Sequence, residues 1–241
     1  MTLHFEIAAD AAALAEKAAA LLDEYGARCV AERGRFLLAL AGGSMPKALY
    51  RLWGERGKVD WSRVHLLFGD ERCVPPDHPD SNAGMVEESL LARLAVRPTL
   101  HRMAGEDVDP DRAARAYEAT LRSLLGNDGR IDLALLGIGS DGHTASLFPG
   151  SPALKERERL CVAGTGPDGT SRRLTLTVPA LKGARRLMFL AAGPDKAEIL
   201  HAVAEGPEEP ERLPSQFFIR DGALEVTLAL DEAAAGRLKQ G

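Results

Sequence analysis

A glycine-rich segment of the sequence presents one histidine among short polar side chains. Residues 137–146 have the sequence GIGSDGHTAS and follow an apolar stretch. Because a histidine changes its charge near neutral pH, His143 is a candidate general base, and Asp141 can orient it. The spacing G-x-G-x-x-G also occurs in dinucleotide-binding loops. Here Pro149 interrupts any long helix after the glycines, and no later strand ends in an acid at the expected interval, so acid–base chemistry is favoured.

A second loop could bind an anion through its backbone. Gly42 and Gly43 precede Ser44 and Pro46, and proline is typical of the first turn of a helix. Backbone N–H groups beside glycines can approach a ligand closely, and a helix N-terminus carries partial positive charge, so the loop suits a phosphate. A tight strand-to-helix turn capped by Ser44 is an equally good interpretation.

A third loop concentrates charge. Residues 69–82 contain four acids, an arginine and a histidine directly after an apolar stretch. Arg72 could hold a phosphate or a carboxylate through two parallel hydrogen bonds. The alternative is a solvated turn, because Asp, Pro, Ser and Asn all favour turns, and His78 is expected to be an ordinary residue of that turn.

Other catalytic templates are absent from the sequence. It contains no G-x-S-x-G and no H-E-x-x-H motif. A hydrolase with this sequence would therefore activate water and would not form a serine acyl-enzyme. A metal ion held by Asp70, Glu71, Asp141 and His143 is a weaker alternative, because no metal-ligand spacing supports it.

The composition limits the function classes further. The 241 residues carry 30 basic and 35 acidic side chains, so the formal net charge of −5 disfavours a general nucleic-acid binder. Three cysteines without C-x-x-C spacing predict neither a disulfide framework nor a zinc site, and they favour the reducing cytoplasm. No segment approaches the ~20 apolar residues of a membrane span, and the first ten residues do not resemble a signal peptide.

Hydrophobic patterning predicts alternating strands and helices. Strands are expected at residues 35–41, 64–68, 131–136, 173–178, 187–192 and 224–230, and helices at 10–31, from 46, at 82–94, at 109–125 and after 194 to about 204. This order predicts an α/β fold in one domain, 1–241, with a doubly wound, mostly parallel sheet and helices on both faces. Residues 206–214 are expected to be an exposed loop. Because ligands bind beyond the carboxyl ends of parallel strands, the three loops should converge there.

With these motifs the chain resembles the 6-phosphogluconolactonase family. The matching segments are LAGGSMPKALY at 40–50, GDERCVPPDHPDSN at 69–82, DLALLGIGSDGHTASLFP at 132–149, RLTLTVPAL at 173–181 and GPDK at 193–196. Their order and spacing run through nearly the whole chain. Met45 departs from the family pattern, which has a threonine at that position, and so removes one hydroxyl from the expected phosphate loop.

The resemblance implies hydrolysis of 6-phospho-D-glucono-1,5-lactone to 6-phosphogluconate in the oxidative pentose phosphate pathway, without a metal or organic cofactor. It implies a fold similar to that of glucosamine-6-phosphate deaminase. The catalytic residues it indicates are His143 as general base, Asp141 and Asp70, and it leaves open which carboxylate partners the histidine. The residues it places on the substrate are Gly42, Gly43, Ser44, Arg72, Asn82, Arg173 and Lys196, of which the three cations are alternatives for the phosphate.

Two other functions are compatible with this fold. An amino-sugar-phosphate deaminase would carry an acid soon after the histidine, where residues 144–148 are TASLF. A non-catalytic sugar-phosphate sensor would not need His143, Asp141 and Arg72. The expected partner is therefore a small sugar-phosphate lactone and not a nucleic acid or a membrane, and the chain is expected to be a monomer or a small homo-oligomer.

Overall fold

Strands and helices alternate along the chain, as the hydrophobic patterning predicts. The computed structural model describes residues 2–126 and 129–239. The strands are β1 (Thr2–Ala8), β2 (Phe36–Leu40), β3 (Val64–Phe68), β4 (Asp70–Arg72), β5 (Thr99–Leu100), β6 (Leu133–Leu136), β7 (Cys161–Thr165), β8 (Arg172–Leu176), β9 (Arg186–Ala191) and β10 (Glu225–Asp231). The helices are α1 (Ala11–Arg33), α2 (Ser44–Arg56), α3 (Asn82–Ser89), α4 (Pro110–Leu125), α5 (Val178–Lys182), α6 (Ala197–Glu205), α7 (Gln216–Ile219) and α8 (Glu232–Ala235). Short 3-10 turns lie at Trp61–Arg63, Leu91–Arg93, Pro152–Lys155 and Pro194–Lys196.

Seven parallel strands form the large sheet, in the order β1-β10-β9-β6-β2-β3-β5. From β2 the chain winds outwards to β3 and β5, returns to β6, and then winds the opposite way to β9 and β10. Right-handed connections place α2 and α3 on one face of such a sheet and α6 on the other. The doubly wound, mostly parallel α/β fold is thereby confirmed. The winding reverses between β2 and β6, and ligands of such sheets bind outside the carboxyl ends of the strands at this point.

The sequence explains these elements locally. All five residues of β2 are buried, as expected for a central strand covered on both faces. Helix α1 begins after Asp10, whose carboxylate accepts a hydrogen bond from the Ala13 N–H at 2.8 Å, and it ends at Gly34 with φ +74°. Among the described residues, no helix has both the length and the apolar character needed to cross a membrane.

A second, three-stranded antiparallel sheet has the order β4-β8-β7. It continues directly from the large sheet, because Gly69 donates to the Leu40 carbonyl at 2.9 Å and accepts from the Leu176 N–H at 2.8 Å. The strand predicted at 173–178 is confirmed as β8, but it lies in this smaller sheet. The expectation that 69–82 is entirely loop is wrong, since β4 pairs with β8 through Asp70, Glu71 and Arg72.

Several boundaries also differ from the predicted ones. The helix predicted over 82–94 ends at Ser89 and is followed by the 3-10 turn at Leu91–Arg93. Strands β1, β5 and β7 were not predicted. Strand β1 lies at the edge of the large sheet and leaves Phe5 46% and Ile7 38% exposed. An edge strand of this kind lacks the continuous apolar run of the central strands, so its hydrophobic pattern is weak.

Candidate active site

A cavity of about 340 Å³ opens at the carboxyl edge of the large sheet, where its winding reverses. The loops after β2 and β6 form two of its walls, and the smaller sheet with the β7–β8 hairpin forms the third. The lining residues named as candidates from the sequence are Gly42, Gly43, Asp70, Arg72, His143 and Arg173. The three loops that each follow a predicted strand therefore meet at one place.

His143 and Asp141 form a hydrogen-bonded pair at this cavity. The His143 Nδ1 lies 2.5 Å from Asp141 Oδ1, and the His143 backbone N–H donates to the same oxygen at 3.1 Å. Burial raises the pKa of Asp141, but these hydrogen bonds from His143 outweigh it, so the pKa of Asp141 lies below its usual value. An ionised carboxylate only accepts hydrogen bonds, so the proton of a neutral His143 is on Nδ1 and the lone pair is on Nε2.

Two glycines allow the turn that carries this pair. A Cβ on Gly139 would lie 2.1 Å from His143 Nδ1 and 2.8 Å from Asp141 Oδ1, so a side chain there would collide with both. Gly142 has φ +78°, a conformation that costs other residues more. The Gly139 N–H donates to the His143 carbonyl at 2.9 Å, and the Gly142 N–H donates to the Gly139 carbonyl at 3.0 Å. The ring of Phe148 packs against His143 with 4.6 Å between centroids.

Asp70 is fixed from two sides. Ser146 Oγ donates to Asp70 Oδ2 at 2.6 Å, and the Asn82 amide donates to the Asp70 carbonyl at 2.9 Å. Asn82 is itself only 2% exposed and lies behind the cavity wall, and its amide oxygen would be 2.2 Å from a Cβ on Gly42. Asn82 therefore lies between the loop after β2 and strand β4. Ser146, which the sequence did not single out, is the second group that holds Asp70.

Glu71 points away from the cavity. It is 2% exposed, and its carboxylate accepts from the N–H groups of Asn82 and Ala83 at 2.8 Å each. Burial raises the pKa of Glu71 despite these bonds. In a strand, successive side chains face opposite sides, so Asp70 and Arg72 share one face while Glu71 takes the other. That alternation is the signal in the sequence that separates Glu71 from the site.

Two arginines face the cavity from the smaller sheet. Arg72 and Arg173 are directly opposite each other in the pairing of β4 with β8, and both line the cavity. Their guanidinium groups donate to the backbone carbonyls of Asp80 and Arg172. Within residues 2–126 and 129–239, no carboxylate forms an ion pair with either one. The cavity therefore holds two adjacent positive charges that suit an anionic group.

The start of α2 adds backbone donors to the same region. Gly43, with φ +106°, is the residue before the helix, and no side chain of the described residues caps its first turn. The interpretation of Ser44 as the cap is wrong, because Ser44 is the first residue of α2 itself. Ser44 lines an adjoining groove of about 820 Å³, together with His78 and Asn82. This groove shares Gly43 and Arg72 with the cavity.

Lys196 contacts the loop of residues 137–150 that carries His143, here called the histidine loop, and is not part of the cavity lining. Its ammonium group donates to the Ile138 carbonyl at 3.2 Å and is 3.7 Å from the Asp195 carboxylate. Lys196 thus supports the loop between Gly137 and Gly139. Of the three cations considered for an anionic group, Arg72 and Arg173 face the cavity.

The three acids and the histidine considered for a metal site have other partners. Glu71 binds backbone N–H groups, Asp70 binds Ser146, and Asp141 binds His143. Across the described ranges, no group of three or more His, Cys, Asp or Glu side chains is placed to hold a metal ion.

Comparison with known proteins identifies similar chains. Residues 9–228 match the family described as glucosamine-6-phosphate isomerases/6-phosphogluconolactonase. A 6-phosphogluconolactonase of Synechocystis sp. is 41% identical over 138 residues, which are 55% of this chain and 57% of that protein. The chain therefore spans little more than half the length of this relative.

Solved structures resemble nearly the whole chain. A 6-phosphogluconolactonase from Trypanosoma cruzi superposes with a TM-score of 0.85 at 29% identity, covering 98% of this chain and 97% of that one. A monomeric glucosamine-6-phosphate deaminase superposes with a TM-score of 0.82 at 22% identity, covering 98% of this chain and all of the other. The second likeness shows a shared fold.

Proposed function

The chain belongs to the glucosamine-6-phosphate isomerase/6-phosphogluconolactonase family, and on that basis we propose that it hydrolyses 6-phospho-D-glucono-1,5-lactone to 6-phosphogluconate, a step of the oxidative pentose phosphate pathway. One observation carries the proposal: His143, which is hydrogen-bonded to Asp141, lines the same cavity as the two arginines Arg72 and Arg173. A base and an anion site in one cavity suit a phosphorylated substrate that is attacked by water. The relatives named above support the same reaction.

The histidine supplies the base. The Nε2 atom of His143 takes a proton from a water molecule, and the resulting hydroxide attacks the C1 carbonyl of the lactone. Asp141 stabilises the imidazolium that forms, since its carboxylate is already bound to Nδ1. The tetrahedral intermediate then breaks the bond between C1 and the ring oxygen, and the imidazolium returns its proton to that oxygen. The products are a carboxylic acid and a sugar hydroxyl.

The remaining groups bind the substrate and stabilise the charge that develops on it. Arg72 and Arg173 hold the phosphate, because they face the cavity and form no ion pair with a carboxylate of the described residues. The backbone N–H groups of Gly42 and Gly43 stabilise the negative charge that develops on the carbonyl oxygen. Asp70, fixed by Ser146 and Asn82, orients the sugar hydroxyls. No step of this scheme needs a metal or an organic cofactor.

A specific feature disfavours the deaminase. In that enzyme class an acid follows the histidine, whereas here Thr144, Leu147 and Phe148 are buried and Phe148 packs on the His143 ring. A carboxylate at these positions is absent from the sequence. The likeness to the deaminase structure therefore concerns the fold, and the site favours the lactonase over both the deaminase and a non-catalytic sensor.

The wider organisation is part of the same proposal. Residues 1–241, of which 1, 127–128 and 240–241 lie outside the described residues, form one domain, since both sheets contribute to one hydrophobic core. The three cysteines are free thiols, and Cys29 and Cys161 are buried, which agrees with a reducing cytoplasm. The enzyme acts on a small sugar phosphate as a monomer or small homo-oligomer, without nucleic acid.

The test is the rate of lactone hydrolysis with and without the histidine. Hydrolysis releases an acid, so a pH-stat measures it directly with freshly made lactone, after subtraction of the spontaneous rate. We expect His143→Ala to lower kcat by about 10²–10⁴-fold, the usual value of a general base. An unchanged kcat would remove His143 from the mechanism. A wild-type protein that does not accelerate the reaction would refute the function, and ammonia release from glucosamine 6-phosphate would then support the deaminase.

A further inference from the structure

We propose that Ser215 is a positioning residue for catalysis, which holds the turn that presents His143. This inference rests on the proposed hydrolysis by His143. Ser215 is fully buried, and both its backbone N–H and its Oγ lie 2.9 Å from the carbonyl oxygen of Gly142. The Gly142 carbonyl thus accepts two hydrogen bonds from Ser215, and Gly142 directly precedes His143 in the sequence.

The hydroxyl of Ser215 is committed to this bond. Ser215 directly precedes α7, a position where a serine usually accepts a hydrogen bond from the first turn of its own helix. Here its side chain makes no such bond, and its Oγ donates to Gly142 instead. Helix α7 therefore lacks a side-chain cap from Ser215, and the Ser215 hydroxyl instead holds the histidine loop at Gly142.

The same segment closes around Gly142 and the end of the loop. We call Glu209–Gln216 the brace. A Cβ on Gly142 would lie 3.1 Å from Leu213 Cα, so the turn packs directly on the brace backbone. The Gly150 N–H donates to the Glu211 carbonyl at 3.1 Å. The histidine loop is thus held near its middle and at its end by one short stretch of chain.

The brace is itself anchored to the core. Gln216 is 3% exposed, and its amide accepts from the Glu209 N–H at 2.6 Å and donates to the Ala202 carbonyl at 3.2 Å. The first bond joins the two ends of the brace to each other, and the second ties its Gln216 end to α6. The brace therefore transmits the rigidity of α6 to the turn that carries His143.

The brace acts on one part of the site only. It contacts the histidine loop, whereas the phosphate-binding arginines lie on β4 and β8 of the smaller sheet. Loosening the Gly142 carbonyl should therefore misplace the base while leaving the binding of the phosphate intact. A misplacement well below 1 Å already reduces the rate of a reaction that depends on alignment.

The experiment removes the Ser215 hydroxyl and compares this variant with one that lacks the hydroxyl of a matched serine elsewhere. Ser215→Ala deletes one of the two bonds to Gly142. Ser89→Ala is the control, because Ser89 is also buried and donates its hydroxyl to a backbone carbonyl, that of Met85 at 2.6 Å, away from the cavity. We expect both variants to lower the unfolding temperature by similar amounts. Only Ser215→Ala should lower kcat, by about tenfold, with KM within about twofold of wild type.

A double-mutant cycle separates positioning from general loss of structure. If Ser215 acts through His143, then Ser215→Ala should cost no further kcat in the His143→Ala background. Ser215→Cys, which keeps the volume and a weak donor, should give a kcat between those of wild type and Ser215→Ala, and it serves if the alanine variant does not fold.

Two outcomes overturn the inference: a kcat of Ser215→Ala equal to that of Ser89→Ala, or the same tenfold loss with and without His143. Either result leaves the proposed function standing if the wild-type protein hydrolyses the lactone and His143→Ala does not. Failure of the wild-type protein to hydrolyse the lactone removes the proposed function instead.

Discussion

Replacing Gly139 by alanine tests whether His143 acts from its observed position. The added Cβ would lie 2.1 Å from His143 Nδ1 and 2.2 Å from its Cε1, closer than real Cβ atoms approach other atoms. The ring must therefore move by about 1 Å or rotate away, and either motion breaks its short bond to Asp141. A displacement of that size can cost about 10²-fold in rate. We expect kcat to fall by about that factor, within the range for complete loss of a general base.

The fold should tolerate this substitution. Gly139 is not among the glycines with positive φ, so alanine meets no backbone strain there. Gly222→Ala is the control, because φ is also ordinary at Gly222 and a Cβ would meet no heavy atom within 4 Å. The rate is measured in the pH-stat, and the unfolding temperature is measured by circular dichroism. A Gly139→Ala variant that keeps its unfolding temperature and has a kcat within about threefold of the control would show that His143 does not act from its observed position.

Because Arg72 and Arg173 form a pair, we expect Arg72→Ala to weaken the binding of phosphorylated lactone about 10- to 100-fold, which corresponds to the loss of a hydrogen bond to a charged group. The binding of unphosphorylated gluconolactone should change little. Equal effects on both substrates would place Arg72 away from the phosphate. A chelator should leave the rate of hydrolysis unchanged, because His143 activates the water without a metal ion. A rate that falls with the chelator and recovers when a divalent ion is added would show that a metal takes part. His65 and His101 stack with 3.1 Å between ring nitrogens, and burial lowers the pKa of each. The unfolded chain then binds more protons near and below pH 6.5, so the free energy of unfolding in urea should be constant above that pH and decrease below it. The double substitution His65→Asn/His101→Asn should flatten this decrease, and an unchanged slope would assign the acid sensitivity to other groups.

The sequence predicted the part of the site that follows the large sheet. Strands β2, β3 and β6 are apolar runs followed by glycines, and the segments after them carry Gly42, Asp70 and His143. A parallel sheet brings the carboxyl ends of its strands to one edge, so local patterning and one topological rule suffice to bring these loops together.

The rest of the site depends on contacts that have no local pattern. Strand β4 is three charged residues long, and it is a strand only because β8 pairs with it about 100 residues later in the chain. The opposition of Arg72 and Arg173 follows from that pairing. Ser215 likewise lies 73 residues from Gly142, directly after residues 206–214, whose proline and glutamate content predicted an exposed loop. Propensity and periodicity describe neighbours in sequence, so they miss both relations.

The glycine spacing that resembles a dinucleotide-binding motif has a different physical cause here. In such a motif the glycines bring the backbone to a pyrophosphate and open a long helix. Here Gly139 leaves room for the His143 ring and Asp141, and Gly142 adopts positive φ against Leu213. At Gly139 the neighbouring side chains require a glycine, and at Gly142 the turn favours one, in both cases for reasons that involve no nucleotide. The same three-glycine spacing therefore occurs in a loop that brings a histidine and a carboxylate into contact. The residues between and after the glycines determine whether such a loop binds a nucleotide or positions a histidine.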